Sequence, residues 1–276
     1  MTDPITVADQ GDHLLVTLDN PGSRNALAPA MHPVLRDALS RAATQDRFGA
    51  VVLTGAGGYF CAGGDLNALS QRAAMGRDER RARIDDLHAT IRAIRACPRP
   101  VIAAVEGGAA GAGLSIALAC DLLVAAEDAT FSAAYVRVGL VPDGGLTALL
   151  ARRVPAPFAA RMCMTGDPVS AIALAAMGVV TDLCAPGQAV ARAAELAARL
   201  AGGPAEAQAA IKRLLAEAGH SGFADQLDRE RDAMADALAS PEAAAGLKAR
   251  LARVAPDFGR GKPASHAGTK KEETDR

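Results

Sequence analysis

The sequence predicts an α/β domain followed by an all-helical C-terminal region. Short apolar runs typical of buried strands, such as 101–105 and 121–126, alternate with longer helical stretches. Glycine-rich loops at 55–66 and 106–113 each follow a strand-like run. From 188 to 251 the chain becomes rich in alanine and charged residues, as expected for a set of helices.

The first part of the chain predicts a hairpin, a helix and a third strand. Residues 5–7 and 13–18 are strand-like and flank a Gly11–Asp12 turn. Pro29 is expected to open a helix, because its fixed φ suits the first helical position. The apolar face of that helix would carry Met31, Leu35, Ala38 and Leu39. A strand at 50–54 leads into the first glycine-rich loop.

The middle of the chain continues the alternation. Residues 67–96 predict a helical region that ends at the Cys97–Pro100 segment, because proline lacks a backbone donor and disfavours helix before it. Residues 114–120 are apolar nearly all round and indicate a core helix. Strands are expected at 101–105, 121–126 and 129–132.

The last predicted elements complete the division of the chain into three regions. After the turn-rich loop 139–145, the sequence predicts a helix at 146–153, helical structure at 156–177 interrupted at 166–168, and a last strand at 179–183. We expect a core over 1–200, a helical region over 201–258, and a disordered tail over 259–276, which has almost no apolar content.

Composition excludes several classes of protein. Hydrophobic residues make up 50% of the 276-residue chain, enough for a sizeable core, and the formal charge of -1 gives no reason to expect a nucleic-acid or membrane partner. Five scattered cysteines without a CxxC pair favour a reduced, cytoplasmic protein over a disulfide framework or a metal site. The N-terminus lacks a signal pattern.

The two glycine-rich loops together predict a site built from backbone amides. Glycine-rich backbone after a buried strand can approach a ligand closely and direct bare N–H groups at it. One such loop is a weak signal, whereas two in one domain suggest two donors that converge on a developing oxyanion.

Four motifs, in this order along the chain, resemble those of the crotonase (enoyl-CoA hydratase/isomerase) superfamily. They are Arg24–Leu27, Tyr59–Leu66, Ala110–Gly113 with Ala119–Asp121, and Gly139–Gly145. The resemblance covers about residues 5–258. It implies a spiral of ββα units with two roughly perpendicular sheets, and C-terminal helices that assemble a homotrimer or a hexamer made of two trimers.

The resemblance also implies an acyl-CoA thioester as substrate, so that coenzyme A is part of the substrate and no separate cofactor is expected. The thioester carbonyl would sit between the amides of Gly64 and Ala112. Ala112 replaces a more usual glycine, but an amide donor needs no particular side chain. The start of a helix near Ala112 would also favour a thioester enolate.

The same resemblance suggests residues that bind the coenzyme A portion. They are Arg24, Ala26, Ala62, Asp65 and Leu66, with Arg24 near a phosphate. Arg253 is a second basic candidate, near a position where family members often offer a basic residue to coenzyme A, sometimes from a neighbouring subunit. Asp65 could equally cap the following helix. The basic cluster Arg72, Arg77, Arg80, Arg81 and Arg83 is interpreted as a solvated face, or as a source of one or two contacts with ligand phosphates.

The sequence departs from the hydratases of this family at two positions. Those enzymes activate water with two glutamates, and the matching positions here hold Ser115 and Tyr135. Hydration by the two-glutamate mechanism is therefore not expected. Ser115 and Tyr135 could contact the substrate. Alternatively, Ser115 could bond its own helix backbone and Tyr135 could close the pocket wall.

Asp143 is the acid that remains in a matching functional position. Other members of the superfamily, among them isomerases and a dehalogenase, place a catalytic aspartate in this loop. Asp143 could take a proton from the Cα or Cγ of a thioester and return it elsewhere, while the amides of Gly64 and Ala112 hold the enolate. The alternative is that Asp143 caps the helix that opens near Gly145.

The motifs look most like those of a phenylacetate-pathway branch, which includes epoxyphenylacetyl-CoA isomerases and an alternative type of oxepin-CoA hydrolase. The leading hypothesis is an isomerase or ring hydrolase that uses Asp143. Alternatives are hydration with an unusual water activation and a non-catalytic acyl-CoA-binding protein. A peptidase prompted by Ser115 lacks a matched histidine, and none of the five histidines is assigned a catalytic role.

Overall fold

A computed structural model describes residues 4–259. Its strands are β1 (Ile5–Asp9), β2 (His13–Leu18), β3 (Ala50–Gly55), β4 (Val101–Val105), β5 (Gly108–Ala110), β6 (Leu122–Ala126), β7 (Thr130–Ser132), β8 (Val169–Ser170) and β9 (Asp182–Cys184). Its α-helices are α1 (Met31–Thr44), α2 (Leu66–Ala73), α3 (Arg77–Ala96), α4 (Ala112–Ala119), α5 (Leu146–Ala151), α6 (Ala156–Thr165), α7 (Ala171–Ala175), α8 (Ala189–Ala201), α9 (Ala205–Ala218), α10 (Phe223–Leu238) and α11 (Pro241–Leu251). Two 3₁₀ turns span Pro21–Ser23 and Ala134–Val138.

The larger sheet has six strands in the order β1-β2-β3-β4-β6-β9. β1 and β2 form the antiparallel hairpin that the sequence predicts, and every later pair in this sheet is parallel. Parallel strands need helical crossovers, which bury both faces of the sheet and explain the continuous apolar runs of β3 and β4. The predicted α/β fold class is confirmed.

Side-chain alternation along the strands divides the apolar residues between two cores. One face of the sheet, which includes Val52 and Ala104, packs against Ala193 and Ala197 of α8. The other face, which includes Leu53, contributes to the larger core beneath α1, α3 and α4. Successive strand residues point to opposite faces, so both surfaces of β3 and β4 are covered by helices.

A second sheet of three strands, in the order β5-β7-β8, carries the second glycine-rich loop. Ala109 of β5 pairs with Phe131 of β7, and an isolated parallel bridge joins Ala109 to Cys61 of the first loop. This small sheet therefore fixes one glycine-rich loop beside the other.

Several predicted boundaries were wrong. The region 67–96 is two helices, because Gly76 precedes Arg77 in extended backbone and starts α3 anew. Part of the loop 106–113 forms β5, and the last strand lies at Asp182–Cys184 rather than 179–183. For the short strands β5 and β9, pairing with neighbouring strands determines the boundaries more than the strand propensity of their own residues does.

The C-terminal helices α9 to α11 leave large apolar side chains in solvent. Exposed residues include Ile211, Leu215, Phe223, Leu227, Met234, Leu238, Leu247 and Leu251. The predicted disordered tail lies outside the described residues, except for Gly259.

Candidate active site

A cavity of about 1140 Å³ opens between the two glycine-rich loops, the helices α2 and α3, and the segment after β7. Its lining includes Ala26, Ala62, Gly64, Asp65, Leu66, Leu87, Ala112, Tyr135 and Asp143. The space exceeds the range of about 300–1,000 Å³ usual for small-molecule sites, and so it has room for a large ligand.

Gly63 lies where the first glycine-rich loop packs closely against the second. Its φ is +93°, and a Cβ on it would lie 2.7 Å from the carbonyl oxygen of Ala110 and 3.0 Å from the backbone nitrogen of Ala112. The amide of Ala110 donates a 2.9 Å hydrogen bond to the carbonyl oxygen of Cys61. Glycine is therefore required at position 63 both by its backbone angle and by the space available.

Gly64 and Ala112 both line the cavity, as the motif alignment predicts. Ala112 is the first residue of α4, so its N–H has no acceptor within that helix. The helix dipole places partial positive charge at the same end. The two positions suit donors to a ligand oxygen, and their role as an oxyanion hole stays a prediction.

Tyr135, Asp143 and Ser115 form a connected polar cluster at the cavity wall. The Tyr135 hydroxyl donates a 2.7 Å hydrogen bond to Oδ1 of Asp143. Oγ of Ser115 lies 3.2 Å from the Tyr135 hydroxyl and donates to the backbone carbonyl of Asp143 at 3.0 Å. The two hydroxyl residues that the motif resemblance matches to the glutamates of the hydratases therefore both contact Asp143.

Asp143 does not cap α5 with its side chain. Gly145 occupies the N-cap position without a side-chain hydrogen bond, and Asp143 contributes only its backbone carbonyl, which accepts from the N–H of Leu146 at 3.2 Å. Because Tyr135 binds the carboxylate, the cap alternative was wrong for the side chain.

Tyr135 stays protonated in this environment. Burial raises its pKa well above the usual range of tyrosine, and the negative charge of Asp143 raises it further. The hydroxyl therefore remains a hydrogen-bond donor to the carboxylate at neutral pH.

Ser115 lies fully buried in α4, close against the loop that holds Asp143. Gly144 has a φ of +61°, and a Cβ on it would lie 2.8 Å from Cβ of Ser115 and 3.5 Å from Cδ2 of Leu87. The bond from Ser115 to its own helix, at the carbonyl of Gly111, is long at 3.5 Å. Ser115 thus supports the Tyr135–Asp143 pair more closely than it bonds its own backbone.

The residues predicted to bind coenzyme A are only partly brought together. Ala26, Ala62, Asp65 and Leu66 line the cavity. Asp65 also caps α2, as the sequence predicts, by accepting a 2.8 Å hydrogen bond from the N–H of Ala68.

Two arginines predicted to bind coenzyme A, Arg24 and Arg253, do not line the cavity. The guanidinium of Arg24 lies 5.4 Å from the centre of the Tyr59 ring. Arg253 lies beside a separate pocket with Arg250 and Val254. Contacts of Arg24 and Arg253 with coenzyme A stay predictions.

Sequence reasoning missed one residue of the cavity. His32 of α1 is buried and lines the cavity. Its Nδ1 lies 3.1 Å from Oγ1 of Thr90, and burial lowers the pKa of its imidazole. The available signal was its place beside Met31 on the apolar face of α1. Of the basic cluster, Arg72, Arg80 and Arg83 line the cavity, and Arg80 and Arg83 are also exposed to solvent, so both interpretations of the cluster stay open.

Two further findings bear on the kind of site. Within residues 4–259, no cluster of three or more histidine, cysteine or acidic side chains is placed to hold a metal ion. No helix in the same range is long and apolar enough to cross a membrane.

Known proteins resemble this chain over almost its whole length. The model of the family described as "Enoyl-CoA hydratase/isomerase" matches residues 10–261. The 2,3-dehydroadipyl-CoA hydratase of Escherichia coli K12 is 33% identical, over 92% of this chain and 98% of the relative. The 1,2-epoxyphenylacetyl-CoA isomerase of the same strain is 32% identical, over 89% of this chain and 94% of the relative.

Solved structures share the same architecture. An enoyl-CoA hydratase from Polaromonas sp. JS666 superposes with a TM-score of 0.90 at 40% identity, over 92% of this chain and 98% of the other. An enoyl-CoA hydratase from Bacillus anthracis gives a TM-score of 0.85 at 27% identity, over 92% and 98% respectively.

Proposed function

The chain belongs to the enoyl-CoA hydratase/isomerase family, and we propose that it moves a proton within an acyl-CoA thioester with Asp143 as the acid/base. The observation that carries this proposal is the Tyr135–Asp143 hydrogen bond. It holds the carboxylate at the wall of the cavity that Gly64 and Ala112 also line.

In the proposed mechanism, the thioester oxygen lies between the amides of Gly64 and Ala112. Removal of a proton from Cα or Cγ would place negative charge on that oxygen. Preorganised donors stabilise such charge, by roughly 3 kcal/mol for each donor in well-studied enzymes. The helix dipole at the start of α4 adds to the same effect.

Asp143 would accept the proton and then deliver it to another carbon of the same substrate. The electron pair of the broken C–H bond enters the enolate and forms the new C–H bond, so that the double bond moves and no other reactant is consumed. Tyr135 would hold the carboxylate in place by its hydrogen bond, and Ser115 would hold both.

An isomerase or ring hydrolase is favoured over a two-glutamate hydratase by the side chains at the two matching positions. Ser115 and Tyr135 are hydroxyl residues, and the raised pKa of Tyr135 keeps its hydroxyl protonated at neutral pH, so that it cannot serve there as the base. The similarity to a 1,2-epoxyphenylacetyl-CoA isomerase supports placing the chain near the phenylacetate-pathway branch.

Hydration with Asp143 and an ordered water is the second candidate. Its support is the similarity to a 2,3-dehydroadipyl-CoA hydratase and to structures described as enoyl-CoA hydratases. In this version the carboxylate would take a proton from water as the hydroxyl adds to Cβ, and the protonated Asp143 would then deliver that proton to Cα of the enolate. A non-catalytic acyl-CoA-binding protein is the third candidate.

We also propose that the exposed apolar side chains of α9 to α11 pack against other copies of the chain, as a homotrimer or a hexamer. Large exposed apolar patches commonly mark interaction surfaces. Phe223 and Leu251, both more than four-fifths exposed, are the most exposed of these side chains. Arg253 follows α11 and would approach coenzyme A only from a neighbouring subunit.

A product-analysed panel of acyl-CoA esters tests the proposal. Enoyl- and epoxyacyl-CoA substrates are incubated with the protein, and products are separated by mass and by the position of the double bond. Isomerisation leaves the mass of the ester unchanged, whereas hydration of a double bond and hydrolysis of a ring each add one water. Products of isomerisation or of ring hydrolysis are expected. A hydroxyacyl-CoA formed from an enoyl-CoA would favour the second candidate, and binding without any product across the panel would favour the third.

A further inference from the structure

The face of α3 that meets the cavity changes from apolar to basic along its length. Leu87, Arg83 and Arg80 all line the cavity, and they follow the helical spacing that places residues on one face. The side chain of Leu87 reaches the loop beside Ser115, since a Cβ on Gly144 would lie 3.5 Å from it. The apolar end of this face therefore lies at the polar cluster that contains Asp143.

The arginines lie at increasing distance from that cluster. A helix rises about 1.5 Å per residue, which places Arg83 about 6 Å and Arg80 about 10 Å from Leu87 along the axis. An acyl chain that starts at the polar cluster and runs along α3 would pass Leu87 first and would reach the guanidinium groups with its far end.

Three of the four arginines that line the cavity, Arg72, Arg80 and Arg83, form no ion pair with a carboxylate within residues 4–259, whereas the fourth, Arg137, lies 3.9 Å from Asp167. Other arginines nearby also have a carboxylate partner. Arg81 pairs with Asp78 at 3.9 Å, and Arg36 pairs with Asp86 at 2.7 Å.

The acids on the same wall cannot neutralise all three arginines. Asp86 is engaged by Arg36. Glu79 lines the cavity beside Arg80 and could pair with one guanidinium. Asp65, which caps α2, also lines the cavity, so three guanidinium groups face two carboxylates that no arginine engages, and one positive charge remains in excess at this end of the cavity.

Arg72 contributes from α2 and is partly buried. Its positive charge contributes to lowering the pKa of His32, although burial of the imidazole is the main cause. His32 is therefore neutral at neutral pH and competes with no guanidinium for an anion.

We propose that this arginine cluster binds a carboxylate at the far end of the acyl chain, so that the substrate class is an acyl-CoA with an anionic terminus. The inference rests on the proposed function, because the acyl chain must start at the site of Gly64, Ala112 and Asp143. A guanidinium binds a carboxylate through two parallel hydrogen bonds, and the apolar stretch at Leu87 suits the methylene groups between.

The test compares the binding of two saturated, non-reacting esters by calorimetry: adipyl-CoA, which ends in a carboxylate, and hexanoyl-CoA, which has the same number of carbons and ends in a methyl group. The wild type is expected to bind adipyl-CoA about tenfold more tightly, as for one charge-assisted hydrogen-bonded contact. Arg83→Met should remove most of that preference and leave hexanoyl-CoA binding unchanged. Arg81→Met is the matched control and should keep the preference.

The other outcomes are distinct. Equal binding of the two esters by the wild type would overturn the inference and leave the proposed function standing. A loss of free coenzyme A binding in Arg83→Met would also overturn it, because the arginines would then serve the phosphates. If neither ester binds to the wild type, the proposed function itself fails.

Discussion

The Tyr135 hydroxyl donates a 2.7 Å hydrogen bond to Oδ1 of Asp143, and this contact decides how the site is interpreted. The motif resemblance predicts a glutamate at the position of Tyr135 in the hydratases that use two carboxylates. The structure therefore has a hydrogen-bond donor to the remaining acid in the place of a second acid.

Tyr135→Phe removes that donor and keeps the ring. We expect kcat to fall, because the Asp143 carboxylate is no longer held in position. The fall should be smaller than in a variant that lacks the carboxylate. Hydrogen bonds to charged groups contribute about 1.5–3 kcal/mol when buried, and this site is half-buried, so the free energy of unfolding should fall by roughly 1 kcal/mol. Steady-state kinetics and chemical denaturation measure the two effects. An unchanged kcat would show that Tyr135 does not position the acid.

Gly63→Ala tests the close approach of the two glycine-rich loops. The new Cβ would meet the backbone of Ala110 and Ala112 and displace the amides of the predicted oxyanion hole. Loss of one such donor typically lowers kcat by about 10²–10³-fold. Gly58→Ala is the matched control, since Gly58 also has a positive φ but a Cβ there meets nothing within 4 Å. If the two variants lost kcat equally, the loss would come from backbone strain alone and not from the clash with the second loop.

Cys61, although it belongs to the first glycine-rich loop, is expected to be chemically inert. Burial raises the pKa of its thiol to about 12, and its side chain is fully buried. At pH 8 iodoacetamide should label Cys163 and Cys184 first, because both are partly exposed. Peptide mass spectrometry follows the labelling. Rapid alkylation of Cys61 with loss of activity would contradict the geometry described for this loop.

His32 should make the protein less stable in mild acid. Its pKa is lowered in the folded state, mainly by burial, so the unfolded chain binds the proton more readily. The stabilising contribution is complete above the ordinary histidine pKa of about 6.5 and is lost as pH falls below that value. His32→Asn should weaken the decline of the free energy of unfolding between neutral and mildly acidic pH. An identical decline in wild type and variant would exclude this role for His32.

The sequence predicted those parts of the fold that depend on local pattern. The runs at 101–105 and 121–126 are strands because uninterrupted apolar residues suit strands covered on both faces. β5 was missed because its three residues are a strand only through pairing with Phe131 and its neighbours.

For the site, motif order placed Gly64, Ala112 and Asp143 at one cavity. The partner of Asp143 could not be predicted, because the contact depends on the 3₁₀ turn at Ala134–Val138, which brings Tyr135 back to the loop. Which arginines of the basic cluster face the cavity could not be predicted, for a similar reason. The sequence of a basic helix does not tell which of its side chains face a ligand, because that depends on the elements that pack around the helix.

Replacement of Asp143 tests most directly whether this residue is the acid/base. With Asp143→Asn, kcat on an enoyl- or epoxyacyl-CoA substrate should fall by about 10²–10⁴-fold, the usual contribution of a general acid–base residue. Binding of hexanoyl-CoA should be unchanged, and Asp128→Asn, which alters an exposed acid outside the cavity, should behave like the wild type. Undiminished turnover by Asp143→Asn, with the same products as the wild type, would contradict the assignment of Asp143 as the acid/base.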